Sequence, residues 1–229
     1  MLKAIDTVFQ GLYAAPHSLP RRLQRLGYES AFFSGGDLSF VGMRDWLHSL
    51  GFDHLEGSEY TGYATEPRFH FNTVQDRTLY RRVLGWLDER GSSRPAVLVI
   101  STLSTHIPFL DPETGSPSAE RVFRYADRVL GEFLDGLEQR RYFDHGVVLI
   151  TGDHREMTPV RSGEIERFRL TAPARVPLVA IGHSIPSGTI RREIFQQADI
   201  PASIEALVAP AACFSDRQRN LFGPVPTEA

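Results

Sequence analysis

Val147-Val148-Leu149-Ile150-Thr151-Gly152-Asp153-His154 is the stretch that decides the fold. Four branched apolar residues in succession read as a strand buried on both faces, the kind found where helices cover a sheet. Thr151-Gly152 then allows a sharp turn, and an acid and an imidazole stand side by side at the strand's carboxyl end. Open α/β sheets place their ligand sites at that end of the strands. Asp offers a hard oxygen and neutral His a borderline nitrogen, a pair that suits Zn²⁺ or Mn²⁺. The same dipeptide also serves as a plain capped start of a loop.

Two more runs of this kind lie outward from it, at 96–103 and 176–181. Shorter strands are expected at 29–33, which stops at Gly35-Gly36, and at 52–55. Helical periodicity falls between them. Ile5, Val8, Phe9 and Leu12 mark the body of a helix over 4–13. Ser18-Leu19-Pro20 caps a second helix running to Gly27. The spacing of Phe40, Met43, Trp46, Leu47 and Leu50 predicts an amphipathic helix over 39–50 with Gly51 as its stop. Asp76 reads as the N-cap of a helix ending near Arg90. Residues 120–140 form a long helix, and Asp199-Ile200-Pro201 starts a last one over 200–208. Residues 56–75 read as a covering loop, 110–118 as a Pro/Gly/Ser loop, and 155–175 as a charged, irregular surface loop. Strands alternating with helices imply an α/β sandwich with a largely parallel sheet. At 229 residues, one domain over 1–229 is the natural division.

Composition narrows the partners. A net charge of −3 gives no bulk attraction to nucleic acid. Cys213 is the single cysteine, so an internal disulfide and a CxxC metal site are excluded. No apolar run approaches the roughly 18–20 residues that span a bilayer. The first residues, Met1-Leu2-Lys3-Ala4-Ile5-Asp6, lack the apolar core of a signal peptide. The chain as written is expected to be soluble.

Several side chains are candidates for chemistry. His106 follows its strand as Asp153-His154 follows theirs; neighbouring strands in one parallel sheet would bring the three to one edge. Gly182-His183-Ser184-Ile185-Pro186 imitates a nucleophile elbow, but Pro186 stands where the elbow needs glycine, so His183 and Ser184 read as turn residues. Gly35-Gly36-Asp37 lacks a phosphate-loop pattern and reads as a strand-to-helix turn. Arg155, Arg161, Arg167, Arg169 and Arg175 suit either a solvated loop or the steering of an anionic substrate. Phe69-His70-Phe71 could bring an imidazole to the site, yet its aromatics look more like anchors for a lid.

Taken in order, these segments resemble the sulfatase/alkaline-phosphatase superfamily, and most of all its lipoteichoic-acid synthase and phosphoglycerol transferase branch. Leu26 through Gly36 is similar to that family's glycine-tyrosine strand, and Ser39-Phe40 through Gly51-Phe52-Asp53 to the segment after it. Ser101-Thr102-Leu103-Ser104-Thr105-His106-Ile107-Pro108-Phe109 resembles its Ser-x-His-x-Pro-Phe run. Tyr125-Ala126-Asp127 matches a Tyr-x-Asp on the long helix. Thr151-Gly152-Asp153-His154 matches Gly-Asp-His, Val176-Pro177-Leu178 a Val-Pro-Leu strand start, and Asp199-Ile200-Pro201-Ala202-Ser203 the last helix. The matches cover roughly residues 9–208 and stand in register.

The resemblance implies a three-layer α/β/α sandwich of alkaline-phosphatase type. It implies that Asp153 and His154 are metal ligands, to Mn²⁺ or Zn²⁺ or possibly Mg²⁺, and that His106 contacts the substrate's phosphate. The substrate would be a phosphate- or phosphoglycerol-bearing lipid or glycan, handled outside the cytoplasmic membrane. A threonine would attack phosphorus, with charge neutralisation and an in-line leaving path supplied around it.

The sequence also departs from the pattern. The family's first strand, with its acidic ligand, and its nucleophilic Thr would precede the stretch matched by Phe9-Gln10 and onward. No Ser or Thr stands near Met1 to Ile5, and Thr7 falls inside the helical run. The nucleophile is thus expected upstream, with an upstream segment as the means of completing the site. Arg155 replaces the usual glycine after Asp-His, and no second His follows within a dozen residues. Four-ligand zinc sites are worth ~10–16 kcal/mol in small peptides, so half a ligand set should bind a cation only weakly. Impaired catalysis is expected. A phosphatase, phosphodiesterase or sulfatase of the same superfamily is one alternative; a non-catalytic relative that binds an anionic glycan or a protein partner is another.

Overall fold

Phe32 and Phe33 are adjacent in the chain and point to opposite faces of a sheet, as successive strand residues must. A computed structural model describes residues 17–91, 94–155, 159–183, 185–209 and 219–223. The chain divides into two compact units, residues 1–134 with 192–229, and residues 135–191. In the first, β1 (Glu29–Ser34) lies between β2 (His54–Glu56) and β3 (Ala96–Ser101), and all pairings are parallel.

Register decides what each face carries. Phe32 pairs with Leu55 on one side and with Val99 on the other, so these three share a face. They pack against the buried cluster of Leu38, Leu47 and Phe52, together with Met43, Trp46 and Leu50. Most of that cover comes from α2 (Met43–Leu50), which ends at Gly51 with φ +94°, the left-handed stop expected. Phe33 falls on the other face with His54 and Glu56. Its ring meets Trp86 edge-on at 5.5 Å, and Trp86 belongs to α3 (Asp76–Glu89). Arg82 of α3 reaches the buried Glu56 carboxylate at 2.9 and 3.2 Å. The parallel sheet therefore has helices on both sides.

The α1 helix (Leu19–Gln24) precedes β1, and the Ser18 hydroxyl donates to the Leu50 carbonyl rather than capping the helix. The long α4 (Ala119–Gln139) buries Val122, Tyr125, Val129 and Phe133 at helical spacing. Phe133 stacks on Tyr80 of α3 at 4.6 Å, and Arg77 clasps Glu132 with two bonds of 2.9 Å. The last helix, α6 (Ile200–Val208), starts where the Asp-Ile-Pro signal placed it; Arg22 of α1 pairs with its Glu205 at 2.6 Å.

In the second unit β4 (Val147–Thr151) pairs with β5 (Leu178–Gly182), and the pairing is antiparallel. Both strands were expected to be buried on two faces in a largely parallel sheet. Val147–Ile150 are instead half-buried, and Val179 is 50% exposed. Among the described residues each strand of this pair is hydrogen-bonded to the other alone. Residues 155–175, expected as irregular loop, contain α5 (Ser162–Phe168) and a 3-10 stretch over Arg169–Ala174. Two smaller differences concern helix starts. Phe40–Gly42 is a separate 3-10 turn with Val41 at φ +48°, so Phe40 is 63% exposed instead of lining α2. Asp76 is the first residue of α3, and Gln75 holds the N-cap position. The expected helix over 4–13 lies outside the described residues, as does Ser184. Among the described residues no helix is long and apolar enough to cross a membrane.

Candidate functional site

The carboxyl end of the parallel sheet is built by two glycines. The Gly35 carbonyl accepts the Val74 N–H at 2.9 Å, and the Gly36 carbonyl accepts the Ser58 N–H at 2.8 Å, so both ends of the 56–75 loop are pinned here. A Cβ at Gly36 would lie 2.8 Å from the Leu103 side chain. At Gly35 a Cβ would lie 3.1 Å from the Val74 carbonyl oxygen, so both positions are tight, in agreement with a strand-to-helix turn.

Next to it, β3 runs out into Leu103-Ser104-Thr105-His106. Asp76 holds this exit. One carboxylate oxygen accepts the N–H of Leu103 at 3.0 Å and that of Ser104 at 3.2 Å. The Ser104 hydroxyl accepts the N–H of Asp76 at 3.3 Å. Burial pushes the Asp76 carboxyl above its ordinary range, and the donated hydrogen bonds pull the other way. Sequence reasoning read Asp76 as a cap; its carboxylate is instead turned away from its own helix and towards β3.

His106 is thereby placed at the strand end, as expected. Its Nδ1 is bonded to the Ile107 carbonyl at 2.6 Å, which puts the proton on Nδ1 and leaves Nε2 as the second ring position. His70 is its neighbour, with ring centroids 6.1 Å apart. Both ring nitrogens of His70 are buried and have no hydrogen-bond partner among the described residues. Burial, and then the charge of His106, lowers the His70 pKa. Phe71 is 68% exposed, so it anchors nothing; the lid-anchor reading of Phe69-His70-Phe71 fails for this ring. Its edge meets His70 at 5.2 Å and His106 at 5.3 Å. The signal that could have singled out this turn is Asn72, a residue tolerant of left-handed backbone: Phe71 and Asn72 have φ +57° and +56°.

In the second unit Asp153 and His154 leave β4 together. The Thr151 hydroxyl donates to the Pro177 carbonyl at 2.9 Å and ties the strand end to the approach to β5. Gly152 is required, because a Cβ there would lie 2.9 Å from the His154 carbonyl oxygen. The Asp153 carboxylate accepts the His154 N–H at 2.8 Å, and the His154 Nε2 lies 3.6 Å from its other oxygen. Both side chains face solvent, at 89% and 54% exposure. The Arg155 guanidinium, at the position of the family's usual glycine, reaches Glu164 at 2.6 Å. An N–H from Arg161 and the Arg155 charge hold the Glu164 carboxyl below its usual range.

Asp153 and His154 are chemically suitable cation donors, one oxygen and one nitrogen. They do not make a site by themselves. Among the described residues no group of three or more His, Cys, Asp or Glu is assembled that could hold a metal ion. The elbow-like segment is a turn, with the Ile185 N–H bonded to the Gly182 carbonyl at 3.0 Å. His106 and His70 stand in the first unit, Asp153 and His154 in the second.

Comparison with known proteins agrees with this architecture. The chain is 26% identical over 183 residues to lipoteichoic acid synthase 1 of Bacillus subtilis, covering 71% of this chain and 28% of that protein. It is 24% identical over 204 residues to phosphoglycerol transferase I of Xanthomonas campestris, covering 82% and 28%. The chain thus spans under a third of the length of these relatives. Among solved structures, a protein in the alkaline phosphatase superfamily from Vibrio parahaemolyticus superposes with a TM-score of 0.66, at 22% identity over 81% of this chain and 46% of that one. The lipoteichoic acid synthase LtaP from Listeria monocytogenes gives 0.57, at 23% identity over 71% and 45%. The sulfatase family model matches residues 3–209, across both units, and the chain belongs to the sulfatase family.

Proposed function

We propose that this chain handles the phosphoryl group in a metal-dependent phosphoglycerol transfer or phosphodiester cleavage, on a phosphate-bearing lipid or glycan of the cell envelope. The observation that carries the reading is His106. It sits at the carboxyl end of a parallel strand, its backbone is fixed through Asp76, and its Nδ1 is occupied by a carbonyl. The remaining Nε2 is the position from which a protonated ring donates to a phosphoryl oxygen. The relatives named for lipoteichoic acid synthesis and phosphoglycerol transfer support the substrate class.

Asp153 and His154 are proposed as two donors to a divalent cation, Mn²⁺ or Zn²⁺, which would neutralise negative charge on the phosphoryl oxygens. Two donors are half of a four-donor set, so cation binding by this polypeptide alone is expected to be weak and turnover slow or absent.

Calorimetric titration of Mn²⁺ into the wild type and Asp153→Ala tests the cation role. Weak binding that disappears in the variant supports it, and equal binding removes it. Mass spectrometry after incubation with phosphatidylglycerol tests the chemistry: a phosphorylated or glycerophosphorylated residue would show that the nucleophile lies in this chain. Binding of an anionic glycan without turnover or cation dependence would favour a non-catalytic relative.

A further inference from the structure

We propose that His70 is a second anion-binding imidazole, which grips a tetrahedral oxyanion together with His106. This rests on the reading of His106 given above and adds a residue to it.

The first argument is the state of the His70 ring. His70 is half-buried with both ring nitrogens shut off from solvent, and nitrogens so placed ordinarily find partners, because leaving a polar group unpaired away from water is costly. His70 has none for either nitrogen among the described residues. Its ring contacts are Phe71 at 5.2 Å and His106 at 6.1 Å, and neither answers its hydrogen-bonding capacity. An oxyanion is a group that would.

The second argument is electrostatic. Two imidazoles at this separation oppose each other's protonation, and burial adds to that cost for His70. Bound between them, a phosphoryl or sulfuryl group reverses the sign of the field at both rings. Each could then carry its proton and donate a charge-assisted bond to a different oxygen.

The third argument is the backbone that would have to move. Phe71 stands edge-on to both imidazoles, and in this proposal it is the ring that swings aside to admit the anion. Phe71 and Asn72 are consecutive non-glycine residues in the left-handed region, a conformation disfavoured for a bulky side chain. The turn is therefore held by its surroundings rather than by its own preference, and Phe71 projects into solvent where it has room to rotate.

The test is a titration of the full chain with inorganic phosphate at one neutral pH and constant ionic strength. Imidazole NMR signals of His70 and His106 are followed together. The expected result is that both move along one saturation curve. Movement of His106 alone would overturn the pair and leave His106 as a phosphate contact. If neither moved, the reading of His106 would fall as well. His70→Phe keeps the ring's shape and removes both nitrogens. Its phosphate affinity should drop roughly tenfold, the loss of one charge-assisted bond. Unchanged affinity in that variant would sink the proposal, and the wild-type titration stands even if the variant folds poorly.

Discussion

Asp76 and Ser104 exchange hydrogen bonds: the carboxylate accepts the Ser104 N–H at 3.2 Å, and the Ser104 hydroxyl accepts the Asp76 N–H at 3.3 Å. The first turn of α3 is thereby stitched to the end of β3, two residues before His106. Asp76→Ala would leave the N–H groups of Leu103 and Ser104 buried without acceptors. At roughly 1–3 kcal/mol per orphaned donor, the variant should lose about 2–6 kcal/mol in urea unfolding. A loss under 1 kcal/mol would show that the stitch is not stabilising.

The same carboxylate sets a pH signature. Burial raises its pKa in the folded protein above the ordinary value of 3.8. A raised folded value means that the folded state holds the proton more tightly than the unfolded one. The stability Asp76 contributes is therefore fully present below 3.8 and is lost as pH rises through the folded value. Wild type should gain on Asp76→Asn as pH falls through that window. Parallel stability curves for the two proteins between pH 7 and about pH 4 would contradict the assignment.

His70 gives the opposite sign. Its folded pKa lies below the ordinary 6.5, so the unfolded state takes up the proton first on acidification. Its contribution is intact above 6.5 and declines as pH drops below it. His70→Phe removes this term and two unpartnered buried nitrogens. It should be more stable than wild type by about 1 kcal/mol at pH 7, with the gap widening towards pH 5. A stability gain joined to weaker phosphate binding would mark a residue kept for ligand rather than for packing.

Phe33 is fully buried between the sheet and α3, against Trp86 at 5.5 Å and His54 at 5.3 Å. Phe33→Ala should cost about 3–5 kcal/mol, since the central strand cannot collapse to fill the space. Phe40→Ala, at a ring 63% exposed, should change stability by less than about 0.5 kcal/mol. Thermal melts of the two variants decide between these sites.

These positions also show what a linear reading could reach. The strand signals at 29–33 and 96–103 and the long periodic helices were legible, because apolar spacing alone fixes them. Direction was not: an apolar run such as 176–181 is equally good in either orientation, and β5 runs antiparallel. The α5 helix escaped notice because SGEIERF carries only Ile165 and Phe168 as apolar markers, too few for a period. His106 and Asp153-His154 could be picked out by their place after strands. The roles of Asp76 and His70 could not. A carboxylate at a helix start looks like a cap until the neighbouring strand is in position, and an imidazole between aromatics looks like packing until its nitrogens are seen without partners.

Among the described residues β3 is an edge strand: Glu29–Ser34 lies on one side of it, and its other side carries no ladder. Val97-Leu98-Val99-Ile100 is short, uncharged, free of proline and only half covered, which is the composition of a self-templating segment. The pairing of Glu29–Ser34 with Ala96–Ser101 therefore does more than set register: it keeps one flank of a self-pairing segment occupied in the folded state.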